Sequence, residues 1–174
     1  MDVDEVHSLR DDGNKYELVR GDLFITPPPS DGHETILARL SRILDPFVAE
    51  HRLGMLYHPR AVLRFDGSEV EPDLMGRRPN PAGHWETAPT PILVVEVLSD
   101  STRRRDHMQK RKFYLDAGVP EYWIVDPDHL TLRVVRPAVA DNLVTTQLTW
   151  SPPGATQPLV LALADVFSDA RSRE

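Results

Sequence analysis

The stretch Ile92-Leu93-Val94-Val95-Glu96-Val97-Leu98 is apolar on both faces of an extended chain, apart from one carboxylate. That pattern fits a central strand covered on both sides, where continuous aliphatic runs replace the alternation of a half-solvated strand. Ser99, Asp100, Ser101 and Thr102 follow and offer several helix caps, so a helix is expected from about Arg104 to Ala117, closed by Gly118. Tyr122-Trp123-Ile124-Val125 is then a second strand, ended by Asp126-Pro127-Asp128. Strand, helix and strand in this order belong to an α/β layer structure.

The rest of the chain arranges itself around that unit. Upstream, Tyr16 to Val19 and Leu23 to Ile25 read as two strands joined at Gly21-Asp22. The run Pro27-Pro28-Pro29 ends them. Ser30 or Asp31 caps a helix over about Gly32 to Glu50, with Ile36, Leu37, Leu40, Ile43, Leu44, Phe47 and Val48 at helical spacing and Pro46 as a site for a kink or an early end. Met55 to Tyr57, Ala61 to Phe65 and Val70 to Met75 suggest an antiparallel meander turning at Asp66-Gly67. Residues 77–91 form a proline-rich surface loop of the length that is often functional. Leu130 to Val135 and Leu143 to Leu148 alternate as strands, and Leu161 to Phe167 suggests a short final helix. The expected class is a single α/β domain, a mixed β-sheet flanked by two main helices.

Composition narrows the chemistry. At 174 residues and 19.7 kDa, with 40% hydrophobic residues, the chain is sized for one core. The absence of cysteine excludes disulfides, thiolate zinc sites, iron–sulfur clusters and a cysteine nucleophile. No apolar run approaches the roughly 20 residues of a membrane span, and the charged start lacks a signal-peptide core, so no membrane partner and a cytoplasmic location are expected. Seven scattered histidines show no zinc-like spacing. Phosphate loops, dinucleotide fingerprints, the nucleophile elbow and H-E-x-x-H are all missing. The net charge of -7 is opposite to the basic footprint of most nucleic-acid binders.

Glu96 is the most informative residue, because an ionised carboxylate inside an apolar strand costs several kcal/mol unless something compensates it. It either turns out at a sheet edge toward an arginine or belongs to a site. Asp73, after Pro72 at a predicted strand end, can converge with it if the strands are neighbours; two such carboxylates share a proton or hold a divalent cation, Mg²⁺ or Mn²⁺ for oxygen-only donors. Asp106, Lys110 and Tyr114 are four apart on one helix face. There Lys110 is either a surface partner of Asp106 or a cation that serves phosphate chemistry. Arg103, Arg104 and Arg105 with Lys110, Arg111 and Lys112 put six of the twenty basic residues into ten positions, either a solvated helix face or a set of phosphate contacts. Tyr122 and Trp123 read as core aromatics.

Six motifs in order carry a resemblance: Tyr16-Glu17-Leu18-Val19-x-Gly21; Pro27-Pro28-Pro29-Ser30-x-x-His33; Glu71-Pro72-Asp73-Leu74; Val95-Glu96-Val97-Leu98-Ser99-x-Ser101-Thr102; Asp106-x-x-x-Lys110; and Ala117-Gly118-Val119-Pro120-Glu121-Tyr122-Trp123-x-Val125-Asp126-Pro127. Over about Tyr16 to Phe167 the chain resembles the Uma-two family, restriction-endonuclease-like proteins for the most part classed as a domain of unknown function. The resemblance implies a nuclease fold of the PD-(D/E)XK type over residues 13–170, after a polar segment at 1–12. It implies a metal-dependent endonuclease acting on DNA, with Asp73, Glu96 and Lys110 catalytic and Mg²⁺ or Mn²⁺ held by Asp73, Glu96 and Glu17. His33, Asp106 and Tyr114 support them. The usual lysine two positions after the acid is replaced by Leu98, and Lys110 in the next helix matches the family's lysine. A homodimer follows by analogy with nucleases that cut both strands. A catalytically inactive nuclease-fold binding module and a phosphohydrolase of smaller substrates are the alternatives.

Overall fold

In the computed structural model the described residues are 2–9, 12–99 and 105–168, with the backbone alone described for 105–107. In chain order the elements are α1 (Val3–His7), β1 (Lys15–Val19), β2 (Asp22–Thr26), α2 (Asp31–Glu50), β3 (Met55–Tyr57), β4 (Leu63–Phe65), β5 (Ser68–Val70) and β6 (Leu74–Arg77). A 3₁₀ turn at Trp85–Thr87 precedes β7 (Leu93–Val97), α3 (Arg105–Asp116), β8 (Tyr122–Asp126), β9 (Thr131–Val135), β10 (Asn142–Val144), β11 (Gln147–Trp150), β12 (Leu159–Ala162) and α4 (Leu163–Phe167).

β7 is the axis of a six-stranded mixed sheet in the order β10-β9-β8-β7-β6-β3. It runs parallel to β8, as the crossover through α3 requires, and antiparallel to β6. Alternation along β7 divides the interior in two. Leu93, Val95 and Val97 join Leu40, Leu44 and Phe47 of α2 in one core, while Val94 and Leu98 join Phe113 and Tyr114 of α3 in the other. Glu96 has the parity of the second set.

A four-stranded antiparallel sheet, β2-β1-β5-β4, contacts α3 through β1. The single strand expected over residues 70–75 is therefore two strands in two sheets, with Glu71-Pro72-Asp73 carrying the chain across. Pro72 has no N–H for a ladder, which suits a crossing point. β10 and β11 likewise divide the strand expected over 143–148. β12, which forms a two-stranded ribbon with β11, precedes the final helix and shortens it. α2 begins where expected, with Ser30 Oγ accepting from the His33 N–H, and runs unbroken past Pro46. The caps expected at Asp100, Ser101 and Thr102 lie outside the described residues. Near the N-terminus, Asp2 and Glu5 form a reciprocal capping box on α1. The mixed α/β architecture flanked by helices is as the sequence indicates.

Candidate active site

Asp73 and Glu96 face each other across the β6–β7 seam. The register pairs Gly76 with Leu93, Met75 with Val94 and Leu74 with Val95, so one step further Asp73 comes opposite Glu96. Residues directly opposite in an antiparallel pair share a face, and both carboxylates lie on the α3 side. Asp73 is fixed by two donors to the same oxygen: the Val97 N–H, 2.8 Å from Oδ2, and His33 Nε2 at 3.1 Å. His33 reaches it from the first turn of α2.

Glu96 is held from α3. Lys110 Nζ donates to its Oε1 at 3.0 Å, and the Tyr114 hydroxyl donates to the same oxygen at 2.5 Å. The four-residue spacing of Lys110 and Tyr114 puts both on the face that meets β7. Lys110 also lies 2.9 Å from Glu17 Oε2, an ion contact without hydrogen-bond geometry, which leaves that oxygen a buried acceptor lacking a donor. Glu17 Oε1 accepts from the Glu71 N–H at 2.9 Å. The carboxylates of Glu17, Asp73 and Glu96 and the ammonium of Lys110 are thus buried together.

Sequence reasoning missed Lys15. Its Nζ donates to the Glu71 carbonyl at 3.1 Å and stands 3.6 Å from Asp73 Oδ1 and 3.8 Å from Glu17 Oε2. The available signal was its spacing of two from Glu17, which places both on one face of β1. Glu71, whose backbone receives Lys15 and reaches Glu17, also has its side chain 3.9 Å from Arg60. The side chains of Arg105 and Asp106, and all of Arg103 and Arg104, lie outside the described residues, so the expected phosphate-contact cluster and the Asp106 support lie there too.

The electrostatics separate the two central acids. Burial pushes Asp73 up, but the His33 hydrogen bond, the Lys15 and His33 charges and the Val97 N–H outweigh it and hold its pKa at about 2. Burial also pushes Glu96 up; Lys110 opposes, Asp73 adds repulsion, and the pKa rises to about 7. Burial and the Lys110 charge depress Lys15, yet Glu17, Glu96 and Asp73 together raise it above its ordinary value. Burial lowers His33, and Asp73 more than reverses this. Burial, reinforced by the Glu96 charge, keeps Tyr114 well above the ordinary phenol range and so in its donating form.

The donor chemistry fits a hard divalent cation. None of the described hydrogen bonds reaches Asp73 Oδ1 or Glu96 Oε2, and Glu17 Oε2, 2.9 Å from the Lys110 ammonium, accepts no hydrogen bond. All are oxygens, the ligand type of Mg²⁺ and Mn²⁺. Among the described residues no group of three or more His, Asp or Glu side chains is gathered closely enough to hold an ion by itself. The two carboxylates across the β6–β7 seam, with water completing the shell, match the habit of Mg²⁺, which keeps several waters beside one or two carboxylates.

The mixed sheet flanked by helices fits the restriction-endonuclease-like fold, and comparison with known proteins agrees. The Uma2 family model, described as "Putative restriction endonuclease", matches residues 3–170, and the chain belongs to that family. Among solved structures, the chain is similar to one titled a "putative nuclease belonging to DUF820" from Anabaena variabilis ATCC 29413. The two superpose with a TM-score of 0.80 at 20% identity, over 98% of this chain and 99% of that one. Among curated proteins none matches. No helix among the described residues is long and apolar enough to cross a membrane.

Proposed function

We propose that the protein is a divalent-metal-dependent endonuclease that hydrolyses DNA phosphodiester bonds. The observation that carries this reading is the convergence of Asp73, Glu96 and Lys110 from three elements on one face of the β6–β7 seam, around oxygens left without donors. Asp73 and Glu96 would hold Mg²⁺ or Mn²⁺, and the bound cation supplies Lewis-acid activation of the phosphodiester and of the attacking water. Asp73 is ionised at any physiological pH and offers Oδ1, because His33 and Val97 occupy Oδ2. Lys110 and Tyr114 fix Glu96 through Oε1, which leaves Oε2 without a described donor. Glu17 shares the charge of Lys110 and so positions it.

Hydrolysis adds water across one P–O bond, so neither a covalent nucleophile nor an organic cofactor is required. By analogy with nucleases that pair to cut both strands of a duplex, the reading includes a homodimer. Light scattering at micromolar concentration tests that part, with a mass near 19.7 kDa counting against it.

Incubation of supercoiled plasmid with the protein and Mg²⁺ or Mn²⁺ is the direct test. Nicking or linearisation by the wild type, reduced at least about 100-fold in Asp73→Ala, is expected for loss of a metal ligand. Equal activity of the two proteins, or inactivity of both across metals and substrates, sinks the proposal.

A further inference from the structure

Resting on the nuclease reading, we infer that Lys15, not Lys110, is the lysine that contacts the phosphate being cleaved. Lys110 is fully engaged: its side chain is 3% exposed, it donates to Glu96 and it lies against Glu17. Reaching a substrate would require it to abandon two buried carboxylates, each of which would then be a buried charge without its partner. Lys15 is 20% exposed, and its one close hydrogen bond goes to a backbone carbonyl. An ammonium has three donors. Those not used on Glu71 face Asp73 Oδ1 and Glu17 Oε2 at 3.6 and 3.8 Å, beyond hydrogen-bonding distance.

The position matters as much as the freedom. Asp73 Oδ1, the oxygen that His33 and Val97 leave open, is the one Lys15 faces. A phosphate oxygen drawn to a cation on Asp73 therefore arrives beside the Lys15 ammonium, where a charge-assisted hydrogen bond stabilises the negative charge of the transition state. Lys110, held 2.9 Å from Glu17 and 3.0 Å from Glu96, is a positioning residue for those carboxylates. Arg60, 68% exposed and 3.9 Å from Glu71, is the control for nonspecific loss of positive charge.

The experiment measures plasmid cleavage with Mn²⁺ and Mn²⁺ binding by calorimetry for wild type, Asp73→Ala, Lys15→Gln, Lys15→Arg and Arg60→Gln. The expected result is a kcat/KM reduced about 100-fold in Lys15→Gln, within about 10-fold of wild type in Lys15→Arg, and within about 3-fold in Arg60→Gln. Mn²⁺ affinity in Lys15→Gln should be unchanged or tighter, since a cation 3.6 Å from Asp73 is removed. A Lys15→Gln protein that cuts like wild type overturns the inference and leaves the nuclease reading intact. One that loses its fold or its Mn²⁺ binding assigns Lys15 to the framework, and that also overturns it. If wild type and Asp73→Ala are equally inert, the nuclease reading fails and the inference falls with it.

Discussion

Glu96 has an ordinary pKa of 4.5 and one of about 7 in the folded, metal-free protein. Between those values the unfolded chain has released this proton and the folded chain retains it, so stability falls as pH rises. The contribution is complete below pH 4.5, lost by about pH 7, and worth at most about 3 kcal/mol. His33, also raised, acts in the same direction. Asp73 has the opposite sign: its depressed pKa stabilises the fold above pH 3.8, by about 2 kcal/mol, and that is lost as pH falls toward 2. Thermal melts of the metal-free protein should therefore peak between about pH 4 and 5.5 and decline toward pH 8. Added Mn²⁺ should raise the midpoint more at pH 8 than at pH 5.5, where it must displace a proton from Glu96; an increment independent of pH would contradict the metal assignment. Removing the Tyr114 hydroxyl in Tyr114→Phe takes one of two donors from Glu96 Oε1 and should cost about 1–2 kcal/mol in denaturant unfolding. Glu96 announced itself in the sequence because a charge in an aliphatic strand is anomalous. Lys15 did not, because a lysine opening the ordinary strand Lys15-Tyr16-Glu17-Leu18-Val19 is as well explained by solvent as by a site.

Among elements, those with a local signature were legible and those defined by a distant partner were not. α2 declared itself through seven apolar residues at helical spacing and a serine cap, β7 through an aliphatic run broken only by Glu96. The division of residues 70–75 between β5 and β6 did not. Val70 and Leu74 are both fully buried, and nothing in their pattern reveals that they lie in different sheets. The meeting of β1 with α3, nearly a hundred residues apart, was equally invisible to periodicity, although it gathers Glu17 with Lys110. One loop carries a strict demand. Gly54, just before β3, has φ +133°, and a Cβ there would stand 2.3 Å from the Arg77 carbonyl oxygen at the end of β6. Gly54→Ala should lower stability by about 2–4 kcal/mol, read from the denaturation midpoint. A shift under about 0.5 kcal/mol would show that the β3–β6 edge gives way easily.

At the scale of the whole molecule, the acidic balance of -7 shapes what the protein can grip. Part of that charge is the site itself, where Glu17, Asp73 and Glu96 outnumber Lys15 and Lys110. Association with DNA should then depend on the divalent ion more than on nonspecific phosphate contacts, giving a shallow salt dependence once the metal is saturating. Filter binding with Ca²⁺ across 50–200 mM salt checks this, and a slope matching six or more released counterions would contradict it. The two cores differ in kind as well as in place. Beneath α2 the filling is aliphatic and aromatic, with one buried acid, Glu121, accepting from Trp123 Nε1; beneath α3 it is interrupted by Glu96, Glu17 and Lys110 together. Charged layers hold less firmly than apolar ones when water gains entry, so the two halves should breathe on different clocks. Amide hydrogen exchange is expected to be faster in α3 than in α2 by at least tenfold, and metal should narrow the gap. The protein would then keep a durable half as its chassis and a looser half as its working surface, one that can lift away while the central sheet stays whole.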